Sequence, residues 1–207
     1  MKYQENSLNV VIIGSWNKIF ADPIFLANTL FSGQEVTLEV IGQGLDLSVQ
    51  CKYKDVCITP TIDRIQFTCT SLSTDSIAFF TQTLQHFFQN VECPAISAYG
   101  INIHYNDVED VILPEVIDSI SDRSRLVDMG CEIITTNIVR KIKYDDLVFN
   151  ISFSYTNNGT IITFNQHNDV KGTNKDIIFS DDQVLMVIQK SKEILQNLGY
   201  ETEALEV

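Results

Sequence analysis

The sequence lacks long apolar runs and paired cysteines. No stretch of 18 consecutive apolar residues occurs in the 207 residues, which argues against a membrane-spanning helix. The five cysteines have no CxxC spacing and lie in or beside apolar segments, so we expect free, buried thiols in a reducing compartment. The first seven residues carry no long apolar region. Together these features predict a cytoplasmic protein.

Residue patterns that mark common enzymes are also missing. The chain contains no phosphate-binding GxxxxGK[ST] loop, no GxGxxG, no GxSxG, no HExxH and no EF-hand loop. Its three histidines lie far apart in sequence, so a histidine metal site would have to be assembled from distant strands. We therefore predict no catalytic residues, no metal and no cofactor, and we favour a noncatalytic protein while leaving an enzyme open as an alternative.

Positive charge is scarce. Lys and Arg number 14 against 27 Asp and Glu, which gives a net charge of -13. The imbalance is greater in residues 94–207, which hold 9 basic and 18 acidic side chains. Broad binding to nucleic acid or to anionic lipid depends on Lys and Arg neutralising phosphates. We expect neither direct nucleic-acid binding nor membrane binding.

What is present is one order of elements that the sequence predicts twice, in about 8–90 and in about 96–199. That order is a strand, a helix, three strands and a second helix. β-Branched and partly alternating segments predict the strands, and Asp22-Pro23, Ser73 and Ser180 are typical helix starts. The predicted strands are 8–13, 36–41, 45–53, 62–70, 96–105, 132–144, 147–156 and 160–167, and the predicted helices start near 22, 73, 111 and 180.

This order predicts an α+β fold built of two tandem β-α-β-β-β-α repeats. We expect mainly antiparallel sheets, each covered by helices. The repeat boundary is set at Pro94, so the repeats span residues 1–93 and 94–207. No flexible linker separates them, and we expect them to pack as one rigid unit. The alternation from Leu147 to Tyr155 predicts one face in the core and the other in water or against a partner.

Two short segments carry a resemblance to a known group of proteins. One is the glycine-containing strand Tyr99-Gly100-Ile101-Asn102-Ile103-His104-Tyr105, and the other is the turn Gly14-Ser15-Trp16-Asn17. With the element order, they make the chain resemble uncharacterised bacterial proteins built as tandem α+β repeats. The resemblance implies the fold and brings no functional residues with it.

Three polar groups are candidate binding residues. Trp16 and Asn17 could form a recognition loop, or Trp16 could cover the open end of the core. Asn102, His104 and Tyr105 lie on the glycine-containing strand, where Gly100 permits a bulge or a close approach. Asn165 and His167 lie on the last predicted strand, and with Asn102 and His104 they could line one sheet face.

These observations leave three functions open. The first is a noncatalytic interaction or assembly protein that binds a protein partner, or itself as a homo-oligomer, through exposed sheet surfaces. The second is an acidic decoy that inhibits a nucleic-acid-binding protein by presenting spaced carboxylates. The third is an enzyme or small-ligand receptor with a site between the repeats, using His104 and His167. The carboxylates of the second function are Asp107, Glu109, Asp110, Glu115, Asp118 and Asp122.

Overall fold

A computed structural model describes residues 1–3, 7–14, 16, 22–42, 48–90, 96–107, 121–156, 159–171 and 177–202. Ten strands and four helices lie in these ranges. The strands are β1 (Lys2–Tyr3), β2 (Leu8–Gly14), β3 (Thr37–Ile41), β4 (Ser48–Tyr53), β5 (Val56–Pro60), β6 (Arg64–Cys69), β7 (Ile96–Asp107), β8 (Thr135–Tyr144), β9 (Leu147–Thr156) and β10 (Gly159–Asp169). The helices are α1 (Pro23–Leu30), α2 (Thr74–Asn90), α3 (Ser121–Asp128) and α4 (Asp181–Asn197).

All the strands belong to one antiparallel sheet. Its order is β3-β4-β5-β6-β2-β7-β10-β9-β8, and β1 pairs with the far end of β7. The central pair is β2 with β7, and Asn9 lies opposite Asn102 in its register. This differs from the separate sheets that we expected, because the first strands of the two predicted repeats pair directly with each other and join the strands into one layer.

The apolar side chains of the sheet face three of the helices. Helices α1, α2 and α4 contribute an apolar stripe each, and these stripes pack with the strands in a single buried cluster. Burial of each large side chain stabilises the fold by about 1.5–3 kcal/mol. The central members of this cluster are Leu26, Phe80, Leu84, Phe87, Val184, Ile188 and Leu195 from the helices, with Val10, Ile12, Ile101, Ile103, Phe149 and Phe164 from the strands.

The structure adds elements that the sequence pattern missed. Strand β5 was not predicted, because Thr59-Pro60 is typical of a loop. In the fold Pro60 ends the strand, where a missing N–H interrupts little of the ladder. The first half therefore has four strands between its helices instead of three. Helix α3 was also not predicted, and the helix expected from residue 111 lies outside the described residues.

Three of the four predicted helix starts, those near residues 22, 73 and 180, are confirmed. The Asp22 carboxylate accepts a hydrogen bond from the Ile24 N–H at 2.8 Å, with Pro23 as the first helical residue. Ser180 caps α4 in the same way, accepting from the Gln183 N–H at 3.2 Å. Each cap satisfies an N–H that has no partner inside its helix. No helix in the described ranges is long and apolar enough to cross a membrane.

The thiols agree with the expectation in part. Cys51, Cys57 and Cys69 are free and buried, whereas Cys131 is free and exposed just after α3. Burial raises the pKa of the Cys51 and Cys69 thiols to about 11. These two therefore stay protonated and behave as small apolar side chains.

Candidate functional site

The sheet has a second face, opposite the layer of α1, α2 and α4, and its residues are half-buried or exposed with few exceptions. We call it the open face, and it is defined by the strand residues that alternate with those of the core. Near the sheet centre the open face carries polar side chains from four neighbouring strands. They include Asn9 on β2, Asn102 and His104 on β7, Thr163, Asn165 and His167 on β10, and Asn150, Ser152 and Ser154 on β9.

Four asparagines form a hydrogen-bonded row across these strands, which we call the amide row. Asn150, Asn165, Asn102 and Asn9 lie directly opposite one another in register. Asn150 Nδ2 donates to Asn165 Oδ1 at 3.1 Å, and Asn165 Nδ2 donates to Asn102 Oδ1 at 2.6 Å. Asn102 Nδ2 then donates to Asn9 Oδ1 at 2.8 Å. Cross-strand pairs of this kind fix register, because a slip of one residue would break all of them.

Gly100 makes room for the amide row. A Cβ atom at this position would lie 2.4 Å from Asn165 Nδ2, closer than any side chain tolerates. Gly100 is paired with His167 on β10 and with Val11 on β2. Of the two roles that the sequence allowed for this glycine, the structure therefore shows the close approach, and the register irregularity lies elsewhere, at Ile13/Gly14.

His104 continues the row to a hydroxyl. Its Nε2 lies 3.2 Å from Asn9 Nδ2, and its Nδ1 lies 2.9 Å from Thr163 Oγ1. Burial lowers the pKa of the His104 imidazole. The ring is therefore neutral at pH 7, since desolvation disfavours the charged form.

The direction of these hydrogen bonds decides whether His104 could act as a general base toward Thr163. Asn9 accepts through Oδ1, so it offers its N–H to His104 Nε2, and Nε2 must accept. The ring proton then lies on Nδ1 and is donated to Thr163 Oγ1. A general base needs a free lone pair toward the hydroxyl that it activates. In this arrangement His104 instead holds Thr163 and does not activate it.

The other predicted candidates lie in different places. Trp16 is 6% exposed and packs against Phe87, with 5.9 Å between ring centroids, so it covers the core. Tyr105 points to the core side, where its hydroxyl lies 2.5 Å from Ser191 Oγ. Neither side chain is available on the surface. Asn17 lies outside the described residues.

His104 and His167 share the open face but do not converge. His104 is paired with Thr163 of β10, and His167 is four residues further along β10, which is about 14 Å at about 3.4 Å per residue. His167 Nε2 lies 3.1 Å from Asp169 Oδ1 at the strand end. A surface groove lies between α2 and the start of α4, and its lining includes Gln82, Gln85, His86 and Asp181. Neither His104 nor His167 lines this groove. The geometry therefore gives no support to a joint site.

The predicted acidic surface falls on residues or side chains outside the described part of the structure. No group of three or more His, Cys, Asp or Glu side chains within the described ranges could hold a metal ion. The side chains of Asp107 and Asp122, and the whole of Glu109, Asp110, Glu115 and Asp118, lie outside the described residues.

Sequence reasoning missed three residues of this site, Asn9, Asn150 and Thr163. Asn150 and Thr163 look like ordinary outward positions of an alternating strand. Asn9 is only 7% exposed and interrupts the apolar segment from Leu8 to Ile13. A single amide within a buried strand needs a partner, and this was the signal that could have found the row.

The chain matches no protein-family model and no curated protein. A search of solved structures finds similarity to a crystal structure of a proposed adenylate cyclase from Bacillus halodurans. The two are 13% identical, with 97% of this chain and 79% of that chain covered and a TM-score of 0.20. A score this low does not establish a shared fold.

Proposed function

We propose that the protein is a noncatalytic interaction protein, which binds a protein partner or a second copy of itself through the exposed surfaces of its sheet. The observation that carries this proposal is the open face. A ten-stranded sheet has one side packed under α1, α2 and α4, while its other side presents fixed, mostly uncharged polar groups. Such a surface offers hydrogen-bond donors and acceptors whose burial costs less than the burial of charged groups.

The direction of the His104 hydrogen bonds supports a role without catalysis. The imidazole and the neighbouring hydroxyl are occupied by each other and by the amide row. The groove described above lies by α2 and the start of α4, away from these groups. Small ligands are usually held in concave sites, so we favour a protein partner for the open face.

The proposal includes an arrangement of two tandem repeats in one rigid unit, as in the bacterial proteins that the chain resembles. It is supported by the strand order on the two sides of the central pair. Strand β2 is followed outward by β6, β5, β4 and β3, and β7 is followed by β10, β9 and β8. In both directions the first strand of a half pairs with the last strand of its own meander. We place this protein in the cytoplasm, where its thiols would remain reduced.

The test compares the open face with the helix layer. Gln66→Arg with Thr68→Arg adds two cations to the open face at half-buried positions of β6. Gln82→Arg with Gln89→Arg adds the same charge to exposed positions of α2. Affinity capture from the native host, with light scattering of the purified protein, measures partner binding and oligomer size. We expect the open-face variant to lose the complex and the α2 variant to retain it.

Two results would contradict the proposal. One is a wild-type protein that is a monomer at high concentration and captures no partner. The other is a complex that both variants weaken equally, which would place binding outside the sheet. Circular dichroism of each variant establishes that the fold is intact.

A further inference from the structure

Strand β8 forms one edge of the sheet over ten residues. In the described part of the chain it pairs only with β9, so alternate backbone N–H and C=O groups on its outer side have no strand partner. Its side chains are all exposed or half-buried, and Val139 is 66% exposed. An edge of this length is a ready template for another strand.

The edge concentrates positive charge within an acidic protein. Arg140, Lys141 and Lys143 lie within four residues, while the whole chain has 14 basic side chains and a net charge of -13. All three are exposed. No carboxylate in the described ranges forms an ion pair with them, in contrast to Lys190, which lies 3.0 Å from Asp145 and 2.9 Å from Glu193.

The three cations flank the edge on both faces of the sheet. Lys141 and Lys143 lie opposite Asn150 and Val148 and so belong to the open face. Arg140 lies opposite Ile151, which belongs to the core side. An incoming strand would therefore meet positive charge on each of its two faces, and carboxylates at alternating and at adjacent positions could both be neutralised.

The sign of the charge selects the occupant. Two copies of β8 placed side by side would bring six cations together, so this edge disfavours pairing with itself. Cations on edge strands also discourage nonspecific pairing in general. A strand rich in carboxylates would instead be attracted to the three cations of β8. Asp145, in the turn after β8, and Glu193 of α4 share Lys190 as their ion-pair partner and do not pair with the three cations of the edge.

We propose that β8 binds an extended acidic segment of a partner protein, which adds to the sheet as a further antiparallel or parallel strand. This inference rests on the proposed function, because it names the chemistry of one exposed sheet surface. Main-chain hydrogen bonds provide the affinity, and Arg140, Lys141 and Lys143 provide the selectivity.

The probe is a fluorescein-labelled ten-residue peptide of alternating valine and glutamate, titrated into the full chain by fluorescence anisotropy. A second peptide has lysine in place of glutamate. A third keeps valine and glutamate but carries N-methyl groups on all of its backbone amides, so it retains the charge and cannot donate hydrogen bonds to the ladder from either edge. We expect the first peptide to bind, with an affinity that falls as salt is raised, and we expect the other two to bind at least tenfold more weakly.

Matched variants locate the site. Arg140→Gln with Lys141→Gln and Lys143→Gln should weaken binding about tenfold, as three lost cross-strand charge pairs suggest. Lys52→Gln with Arg64→Gln removes cations from β4 and β6, in the other half of the sheet, and should change little. Equal binding of the N-methylated peptide, an unchanged affinity in the β8 variant, or no binding of the first peptide would each overturn the inference.

The inference and the proposed function can fail separately. A native complex that the open-face variant weakens and the β8 variant leaves intact would overturn the inference alone. Peptide binding at β8 by a protein that captures no partner and forms no oligomer would overturn the proposed function alone. Protection of β8 amides from hydrogen exchange by the first peptide gives a readout that charge attraction without pairing would not produce.

Discussion

The same strands form both faces of this sheet, but different interactions stabilise the two faces. On β10, Ile162 and Phe164 point to the helix layer and are fully buried, whereas Thr163 and Asn165 point to the open face. The helix face is stabilised by apolar burial, which depends on volume and tolerates many partners. The open face depends on directional hydrogen bonds, each with one partner. Stability should therefore reside mainly in the first face, and selectivity for register and binding in the second.

The largest effect should come from removing volume on the helix face. Phe164 is fully buried, with ring centroids 5.8 Å from Tyr105 and 6.0 Å from Phe149. Phe164→Ala leaves a cavity and should lower the free energy of unfolding by about 3–5 kcal/mol, measured by urea denaturation. Ile161→Ala on the same strand is the control. Ile161 is 41% exposed on the open face, and its loss should cost less than about 1 kcal/mol. Similar losses of unfolding free energy in the two variants would show that the two faces do not differ in their contribution to stability.

A smaller effect should follow from crowding the open face. Gly100→Ala places a methyl group 2.4 Å from the present position of Asn165 Nδ2, so Asn165 must move and its hydrogen bonds with Asn102 and Asn150 must lengthen or break. We expect a loss of about 1–3 kcal/mol. The matched background is Asn165→Ala, in which the methyl group has room. Gly100→Ala should cost clearly less there, and a double-mutant cycle with no coupling energy would show that this contact is unimportant.

The amide row itself should contribute less than the packing. Asn102 donates to Asn9 and accepts from Asn165, so Asn102→Ala removes one hydrogen-bond partner from buried Asn9 and one from half-buried Asn165. The expected loss is about 1–3 kcal/mol. Asn137→Ala, an exposed asparagine on the same face of β8, is the control and should cost less than about 0.5 kcal/mol. Urea denaturation of both variants compares an amide inside the row with an amide outside it.

The helix face could be predicted in large part from the sequence, because it depends on local periodicity. The alternation from Leu147 to Tyr155, the apolar spacing of α2 and α4 and the caps at Asp22 and Ser180 each report one element, and the structure shows each of them. Where the sequence prediction failed, the local residue pattern and the fold disagree. Thr59-Pro60 is typical of a loop, and the fold uses it to end β5.

The open face could be predicted only in part, because its contacts depend on which strands are neighbours. The sequence suggested that Asn102, His104, Asn165 and His167 could line one face, and the structure places all four there. It could not show that β2 pairs with β7, and without that pairing Asn9 has no visible partner. The amide row joins residues from 9 to 165, a distance over which local patterns carry no information.

The smallest expected effect is a dependence of stability on pH that comes from His104 on the open face. The pKa of His104 is lowered in the folded protein because the ring is buried on the open face. In the unfolded chain the ring has its usual pKa of about 6.5, so on acidification the unfolded state takes up its proton first. The contribution of neutral His104 is thus fully present above this value, and it is lost as the pH falls toward the lower pKa of the folded state.

The measurement is the free energy of unfolding at pH 7.5 and at pH 5.5 for the wild type and for His104→Gln. We expect the wild type to lose more stability than the variant between these values, by about 1 kcal/mol or less. His86→Gln, at an exposed position of α2, is the matched control and should follow the wild type. A wild type that gained stability on acidification relative to His104→Gln would mean that the folded protein binds the proton more tightly. The assignment of a neutral His104 ring between Asn9 and Thr163 would then be wrong. The hydrogen-bond direction in the amide row, which keeps His104 from acting as a base, would be wrong as well.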